Sequence, residues 1–194
     1  MEKLKWNDDY GDWQGLASNI QEPRYQEIAR IVGEFCPNGS VLDVGCGEAV
    51  LAAYLPESVT YIGIEPSSKA LAASSTKISC HHTTAEEFIS GEERWDCIIF
   101  NEMLYYSQDP QSLLLKFSNF LKPNGIVIIS IYQKRDSLRA RLGSSMTNAR
   151  CTRIVKALVA RKQWTVERDQ RIERPDGQPW WLLVVRPEAT STQL

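Results

Sequence analysis

One nine-residue segment, VLDVGCGEA at positions 41–49, constrains the fold of this chain more than any other. Apolar residues at 41, 42 and 44 predict a buried strand, which runs directly into two glycines one residue apart. Apolar side chains at helical spacing follow, beginning with Val50 and Leu51. A strand, a glycine-rich turn and a helix form the nucleotide-binding corner of a doubly wound α/β fold, where a ligand can lie against bare backbone and a helix N-terminus.

An acid at the end of the next predicted strand narrows the choice of nucleotide. Residues 61–67 read YIGIEPS, which places Glu65 twenty positions after Gly45. A carboxylate there can accept hydrogen bonds from both hydroxyls of a ribose, in a dinucleotide site or in an S-adenosylmethionine site. Val50 stands where the dinucleotide fingerprint needs Gly or Ala, and Asp43 is an acid where dinucleotide sites usually carry an apolar residue. These two departures favour S-adenosylmethionine.

Five segments in a fixed order resemble the motifs of the class I S-adenosylmethionine-dependent methyltransferases. They are VLDVGCGEA (41–49), YIGIEPS (61–67), TTAEEF (83–88), WDCIIFNEMLYY (95–106) and LKPNGIVIISIY (121–132). The resemblance implies an α/β fold with a single doubly wound sheet of seven strands. Its expected strand order is 3-2-1-4-5-7-6, with strand 7 antiparallel and helices on both faces.

Hydrophobic periodicity along the chain indicates the same organisation. Strands and helices alternate between Pro23 and residue 131, which favours a parallel sheet. Helices are predicted over residues 23–35, 49–55, 67–75, 85–90, 109–121 and 146–162, and a pair of strands over 164–173 and 180–186 follows. We expect one methyltransferase domain over residues 23–194, preceded by an aromatic-rich arm or lid over 1–22.

Composition argues against several other classes of protein. Hydrophobic residues make up 43% of the chain and charged residues 24%, as in ordinary globular proteins. No apolar run approaches the roughly 20 residues that a membrane span needs, and the N-terminus lacks the apolar region of a signal peptide. The five cysteines are scattered and include no C-x-x-C pair. Reduced thiols, a cytoplasmic location and no bound metal are therefore expected.

Charge is distributed unevenly along the sequence. Residues 134–174 carry twelve Lys or Arg against four Asp or Glu, a net of +8, whereas residues 1–133 carry −9. A solvated basic helix face would explain this segment. The alternative is attraction of an anionic acceptor through Lys134, Arg135 or Arg139, because local charge concentrates ligands of opposite sign. No RNA-binding signature accompanies the segment, so nucleic acid is not an expected partner.

The resemblance implies a set of contacts with S-adenosylmethionine. Asp43 would order water and backbone around the methionine end, although capping of the following turn explains an acid there equally well. Glu65 would hold the ribose hydroxyls, and Glu86 or its neighbour Glu87 would meet the adenine. Arg24 on the first helix would meet the carboxylate unless it is exposed. The implied cofactor-binding set is Arg24, Asp43, Gly45, Cys46, Gly47, Glu65, Pro66, Ala85, Glu86 and Asn101, with Cys46 contributing backbone rather than thiol chemistry.

The segment after the fourth predicted strand is the expected acceptor site. Methyl transfer depends mainly on holding the acceptor about 3 Å from the methyl group and in line with it. Tyr105 and Tyr106 can surround a forming ammonium through cation–π contacts, and Glu102 can bind an amine or the cofactor's amino group. These three are the candidate catalytic residues. Methyltransferases of the quinone type often carry a histidine at the position of Tyr106, whereas the E-x-L-Y-Y run resembles the nodulation-factor N-methyltransferases.

The sequence thus predicts methyl transfer from S-adenosylmethionine to a small-molecule acceptor, with an amine such as an amino sugar favoured. O-methylation of a hydroxyl or carboxylate, on a natural product or quinone-like substrate, is the alternative. A non-catalytic methyltransferase-like domain and an NAD-dependent oxidoreductase are alternatives from other classes. Base or glutamine methylation is disfavoured because no N-P-P-Y or D-P-P-Y stretch follows the fourth strand. The oligomeric state is left open.

Overall fold

The computed structural model describes residues 18–74, 78–133, 147–161, 164–175 and 177–188. Its helices are α1 (Glu22–Phe35), α2 (Ser68–Ala73), α3 (Pro110–Ser118) and α4 (Asn148–Val159). Its strands are β1 (Ser40–Val44), β2 (Thr60–Ile64), β3 (Ser79–His81), β4 (Trp95–Asn101), β5 (Leu121–Tyr132), β6 (Trp164–Ile172) and β7 (Trp180–Pro187). Short 3-10 helices span Val50–Ala53 and Leu104–Tyr106.

The seven strands form one sheet in the order β3-β2-β1-β4-β5-β7-β6, as predicted. Strands β1 to β5 pair in parallel, and β7 is antiparallel to both β5 and β6. The inner strands β4, β5 and β7 carry nearly continuous runs of buried residues, because a sheet covered on both faces has no solvent side. The edge strand β6 has only partly buried and exposed positions after Trp164, and these alternate from Arg168 onward, beyond a shift in register between Val166 and Arg168.

Helices cover both faces of the sheet, which confirms the doubly wound arrangement. Successive side chains of a strand point to opposite faces, so β4 sends Ile98 and Phe100 to one side and Cys97 and Ile99 to the other. The first side packs against α3 and α4, whose buried residues are Leu113, Leu114, Phe117, Cys151, Val155 and Leu158. The second packs against α1 through Tyr25, Ile28, Ile31 and Val32.

Two predicted helices are wrong in type or extent. Residues 85–87 form only a turn, in which Thr84 accepts hydrogen bonds from the backbone N–H groups of Glu87 and Phe88. Phe88 then leaves helical geometry to pack against an aromatic cluster, with its ring 6.0 Å from that of Phe117. The predicted helix 49–55 is shortened at both ends to the 3-10 helix Val50–Ala53: Ala49 has left-handed backbone, with a φ of +57°, and Pro56 disfavours helical backbone at Leu55.

The predicted arm over residues 1–22 is described only from residue 18 onward, where a turn leads into α1. Pro23 occupies the first turn of α1, as expected for a residue without an N–H group. Among the described residues, no helix combines the length and the apolar character that crossing a membrane requires.

Candidate active site

A cavity of about 340 Å³ opens at the carboxyl ends of β1, β2 and β4. This volume lies in the usual range for small-ligand sites. Its walls include every residue of the predicted cofactor-binding and catalytic sets except Asp43, namely Arg24, Gly45, Cys46, Gly47, Glu65, Pro66, Ala85, Glu86, Asn101, Glu102, Tyr105 and Tyr106. The parallel sheet explains this convergence, because the ends of neighbouring parallel strands meet at one edge. The structure thus places these residues together, and their individual roles stay predictions.

The glycine-rich turn is held against the end of β2. The backbone N–H groups of Gly45 and Cys46 donate to the carbonyl oxygen of Ile64 at 2.8 and 3.0 Å. Gly45 and Gly47 have φ angles of +74° and +57°, which glycine adopts without steric cost. A Cβ atom on Gly45 would lie 2.9 Å from the Cβ of Met103, so the close neighbour at this position is a side chain of the protein itself.

Cys46 meets a second thiol behind the turn. Its Sγ lies 3.7 Å from Sγ of Cys80, and a Cβ atom on Gly63 would lie only 2.6 Å from the Cys46 sulfur. The thiol–thiol contact and burial hold the pKa of Cys46 well above its ordinary value. The thiol therefore stays protonated, which suits a residue that offers the site its backbone rather than a nucleophile.

Glu65 is fixed in the cavity wall by two backbone donors. One carboxylate oxygen accepts from Gly47 N–H at 2.9 Å and the other from Ser67 N–H at 2.7 Å. Burial raises the pKa of this carboxyl, and the two N–H groups counteract part of that effect. Because each carboxylate oxygen can accept more than one hydrogen bond, the side chain can still receive the hydroxyls of a ribose.

Asp43 is the one residue of the predicted cofactor-binding set that does not line the cavity, and its role at the methionine end of the cofactor stays a prediction. Its side chain is 1% exposed, and one oxygen accepts a 2.8 Å hydrogen bond from the Tyr61 hydroxyl. The other oxygen has no partner among the described residues, so the alternative role of capping the turn is not seen either. Burial is the main reason why the pKa of Asp43 rises to about 7. The backbone donors of the turn bond to Ile64 and Glu65 instead.

The raised pKa of Asp43 predicts a specific pH dependence of stability. The folded protein binds this proton more tightly than the unfolded chain, whose Asp titrates near 3.8. The resulting stabilisation is complete below pH 4 and is lost as the pH rises through 7. Asp43→Asn, which mimics the protonated form, should therefore gain about 2–4 kcal/mol in unfolding free energy relative to wild type between pH 4 and pH 8.

Urea denaturation of both proteins across that range measures this difference. Asp109→Asn is the control, because burial is slight there and the Ser112 hydrogen bonds lower the pKa of Asp109. If the unfolding free energies of wild type and Asp43→Asn changed with pH in the same way, the predicted titration of Asp43 would be contradicted.

The turn at residues 84–87 forms the wall next to α3. Lys116 donates to the carbonyl oxygens of Ala85 and Glu86 at 3.0 and 2.7 Å, and Ser107 donates to the Glu86 carboxylate at 3.2 Å. Glu86 lines the cavity and Glu87 does not. Of the two acids left open by the sequence, Glu86 is therefore the one placed to reach a ligand, and its contact with the adenine stays a prediction.

Glu102 is the most heavily bonded acid of the cavity. Its oxygens accept hydrogen bonds from Tyr105 Oη at 3.1 Å, Ser130 Oγ at 3.2 Å and Tyr132 N–H at 3.1 Å, and Arg24 Nη1 lies 3.9 Å away. Burial raises the pKa of Glu102, and Arg24 opposes that rise. Its φ of +62° is rare for a residue with a side chain and costs on the order of 1–3 kcal/mol, which the surrounding contacts must offset.

The two tyrosines differ in their surroundings. Their rings lie 4.8 Å apart at 42°. Tyr105 packs against the core, and burial holds its pKa well above the ordinary value, whereas Tyr106 is 49% exposed. One tyrosine therefore belongs partly to the core, as expected, and the other stands at the cavity mouth.

Eleven further cavity residues were not predicted from the sequence, and three of them form one wall: Tyr132, Arg174 and Trp180. Tyr132 and Trp180 face each other across the antiparallel pair of β5 and β7. The guanidinium of Arg174 lies 4.5 Å from the Tyr132 ring centre and 4.8 Å from that of Trp180. In the sequence, only the turn-forming residues of segment 174–179 indicated that a loop lies near these residues. The cations proposed earlier, Lys134, Arg135 and Arg139, lie outside the described residues.

No group of three or more His, Cys, Asp or Glu side chains arranged for a metal ion occurs in the part of the chain that the structure describes.

A family model described as a methyltransferase domain matches residues 16–186. A ubiquinone biosynthesis O-methyltransferase from Pasteurella multocida is 29% identical over 143 residues, which cover 64% of this chain and 58% of that protein. The chain spans about half the length of the curated relatives it matches.

Solved structures share the fold. The 1,6-didemethyltoxoflavin N1-methyltransferase of Burkholderia thailandensis, bound to 1,6-didemethyltoxoflavin and S-adenosylhomocysteine, has a TM-score of 0.69 at 17% identity, covering 96% of this chain and 87% of that chain. The N-methyltransferase NodS from Bradyrhizobium japonicum, bound to S-adenosylhomocysteine, has a TM-score of 0.69 at 16% identity, covering 91% and 92%. With the family match over most of its length and the sheet order described above, the chain belongs to the class I S-adenosylmethionine-dependent methyltransferases.

Proposed function

We propose that this protein transfers a methyl group from S-adenosylmethionine to the nitrogen of a small amine. The observation that carries the proposal is the position of Glu102, a buried carboxylate of raised pKa that lines the same cavity as the glycine-rich turn. A carboxylate in such a place can bind an amine and take up its proton.

The residues of the cavity fit the cofactor. Glu65 offers carboxylate oxygens to the ribose hydroxyls, and the turn at 84–86 offers Ala85 and Glu86 to the adenine. Arg24 is 2% exposed, lines the cavity and has a buried Nε with no partner among the described residues, so it offers a donor to the cofactor's carboxylate. When bound, the cofactor would supply a methyl group on a sulfonium sulfur, which keeps the electron pair of the broken carbon–sulfur bond and leaves as a neutral thioether.

The acceptor side performs positioning and proton transfer. An amine must be neutral to attack a methyl group, and the Glu102 carboxylate can accept its proton. Tyr105 donates to Glu102 and orients it, while Ser130 and Tyr132 hold the same carboxylate from β5. The Tyr106 ring at the mouth can stabilise the positive charge that develops on nitrogen, by roughly 0.5–2 kcal/mol.

O-methylation is the second candidate, and the names of the curated relatives favour it. Ubiquinone biosynthesis O-methyltransferases recur among them at 29–34% identity. The amine remains the better supported acceptor because Tyr106 stands where methyltransferases of the quinone type often carry a histidine, and because both solved structures described above are N-methyltransferases.

Calorimetric titration tests the cofactor assignment. We expect micromolar binding of S-adenosylhomocysteine and none of NAD. Arg24→Gln should weaken S-adenosylhomocysteine about 10- to 100-fold, because a charge-assisted contact with the carboxylate is lost. Its affinity for 5′-methylthioadenosine, which has no carboxylate, should change little.

Arg30→Gln is the matched control, since Arg30 lies on the same helix and is 50% exposed. If Arg24→Gln weakened the binding of S-adenosylhomocysteine and of 5′-methylthioadenosine equally, the contact with the carboxylate would be refuted. Methyl transfer is then followed with labelled S-adenosylmethionine and panels of small amines and phenols. If only phenols were methylated, the proposed acceptor would be a hydroxyl oxygen and not an amine nitrogen.

A further inference from the structure

The two oxygens of the Glu102 carboxylate have different surroundings. Oε2 accepts hydrogen bonds from the Tyr105 hydroxyl and the Tyr132 N–H, both at 3.1 Å, and lies 3.9 Å from Arg24 Nη1. Among the described residues, Oε1 accepts a hydrogen bond only from the Ser130 hydroxyl, at 3.2 Å. This difference decides which of the two oxygens can carry a proton.

Oε2 is the less favourable oxygen for a proton. A backbone N–H and a guanidinium donate hydrogen bonds and cannot accept them. A proton on Oε2 would therefore face two donors, the Tyr132 N–H and Arg24, on a side chain that is only 12% exposed. Because a buried polar hydrogen without an acceptor is costly, Oε1 is the favoured position for a proton on Glu102.

The Ser130 hydroxyl can serve Oε1 in both protonation states of Glu102. Ser130 is fully buried on β5, and its Oγ lies 3.2 Å from Oε1 of Glu102 and 2.8 Å from Oδ1 of Asn101. A hydroxyl has a single hydrogen, so it can donate to only one of these oxygens at a time. It donates to Oε1 while Glu102 is ionised. When Oε1 is protonated, the hydroxyl can accept from Oε1 and turn its own hydrogen to Asn101.

We infer that Oε1 of Glu102 takes up the proton that the acceptor amine loses, and that Ser130 is a positioning residue whose hydroxyl turns from Glu102 to Asn101 as this happens. The inference rests on the proposed function and assigns its proton to one atom. An N–H bond of the ammonium breaks, its proton passes to Oε1, and the electron pair left on nitrogen bonds to the methyl carbon. The carbon–sulfur bond breaks with its electron pair on sulfur, so the methylated nitrogen is cationic and Glu102 is neutral.

The other titratable and charged groups around Glu102 keep their protons near neutral pH. Arg24 and Tyr25 approach from α1, and guanidinium stays charged at any accessible pH. Tyr105 lies on the 3-10 helix after β4, and Cys151 lies on α4. Burial raises the pKa of both tyrosines and raises that of Cys151 to about 12, and the charge of Glu102 adds to each rise. A titration near neutral pH in this group therefore belongs to Glu102.

Nuclear magnetic resonance of protein labelled at the side-chain carboxyl carbon of glutamate measures this titration without any methyl acceptor. The protein is saturated with S-adenosylhomocysteine, and the Glu102 signal is the one that Glu102→Gln removes. Ser130→Ala should move the midpoint about 1 pH unit higher, because ionised Oε1 loses its donor. Asn101→Leu should move it lower by a similar amount, because the Ser130 hydrogen then lacks an acceptor when Glu102 is protonated.

Ser90→Ala is the matched control, because Ser90 is also buried and its hydroxyl donates to the carbonyl oxygen of Glu93, away from Glu102. This variant should keep the wild-type midpoint. Ser130→Thr retains the hydroxyl and should titrate closer to wild type than Ser130→Ala does. With an amine from the panel that the protein methylates, Ser130→Ala and Asn101→Leu should each lower the turnover number about tenfold.

Two results would overturn the inference: a wild-type midpoint in Ser130→Ala, or shifts in the same direction for Ser130→Ala and Asn101→Leu. Both would leave Ser130 with a structural role alone. If Glu102→Gln methylated amines at the wild-type rate, the proposed function would fail together with the inference, whatever the midpoints. If S-adenosylhomocysteine did not bind to wild type, the cofactor assignment would fail, and the titration of the unloaded protein would still test the pairing of Ser130 with Glu102.

Discussion

Replacing Glu102 with glutamine should lower the turnover number for amine methylation by about 10²–10⁴-fold, the usual contribution of a positioned acid–base group. Glutamine keeps the size of the side chain and can still accept hydrogen bonds from Tyr105 and Tyr132, but it cannot take up a proton. Binding of S-adenosylhomocysteine should change less than about threefold, because the contacts proposed for the cofactor lie on Glu65, the 84–86 turn and Arg24. Stopped-time assays with labelled cofactor, together with calorimetry, measure both quantities.

The dependence of the methylation rate on pH shows whether Glu102→Gln removes a proton acceptor or only disturbs the geometry of the cavity. The active form of Glu102 is the carboxylate, and burial raises its pKa above the ordinary 4.5. The wild-type rate should therefore fall as the pH drops through this raised pKa, at a higher pH than an exposed glutamate would produce. The Glu102→Gln variant should lack that limb. Glu57→Gln, at an exposed loop position, should keep wild-type behaviour. Retention of the acidic limb in the Glu102 variant would assign it to another group.

Replacing Glu65 with alanine should weaken S-adenosylhomocysteine by about 10²-fold or more. Two charge-assisted hydrogen bonds to the ribose would be lost, each worth roughly 1.5–3 kcal/mol in a buried site. The same substitution removes the acceptor of the Gly47 and Ser67 N–H groups, and Glu65 is only 4% exposed. The unfolding free energy should therefore fall as well, by about 1–3 kcal/mol for each N–H group left buried without a partner.

A graded series distinguishes the two effects of Glu65. Glu65→Gln retains one acceptor oxygen, so it should lie between wild type and alanine in both affinity and stability. Glu87→Ala is the control, since Glu87 adjoins the cavity wall without lining it. Calorimetry gives the affinity and urea denaturation the stability. Wild-type affinity in the Glu65→Ala variant would remove the ribose contact from the proposal.

Local sequence was sufficient for the elements that depend on neighbouring residues. The turn after β1 requires positive φ at positions 45 and 47, which glycine adopts without steric cost. The sequence motif therefore predicted this turn without knowledge of any tertiary contact. The sheet order was also predicted, because the five ordered motifs resemble a family whose members share one topology. Helix prediction failed at 85–90, where the packing of Phe88 outweighed helical periodicity.

Sequence by itself determined the glycine-rich turn, through local backbone preference. Through motifs that resemble one family it also determined the fold and most of the predicted residues that gather at the ends of β1, β2 and β4. Only the tertiary structure decided the environment of each side chain. It placed Asp43 behind the turn and collected donors from α1, β5 and residue 105 around Glu102. It also brought Arg174 across from the β6–β7 connection onto Tyr132, forty-two positions away in the chain. The pKa values of Asp43 and Glu102 depend on burial and on partners that are distant in the sequence. No short stretch of residues reveals either the burial or those partners.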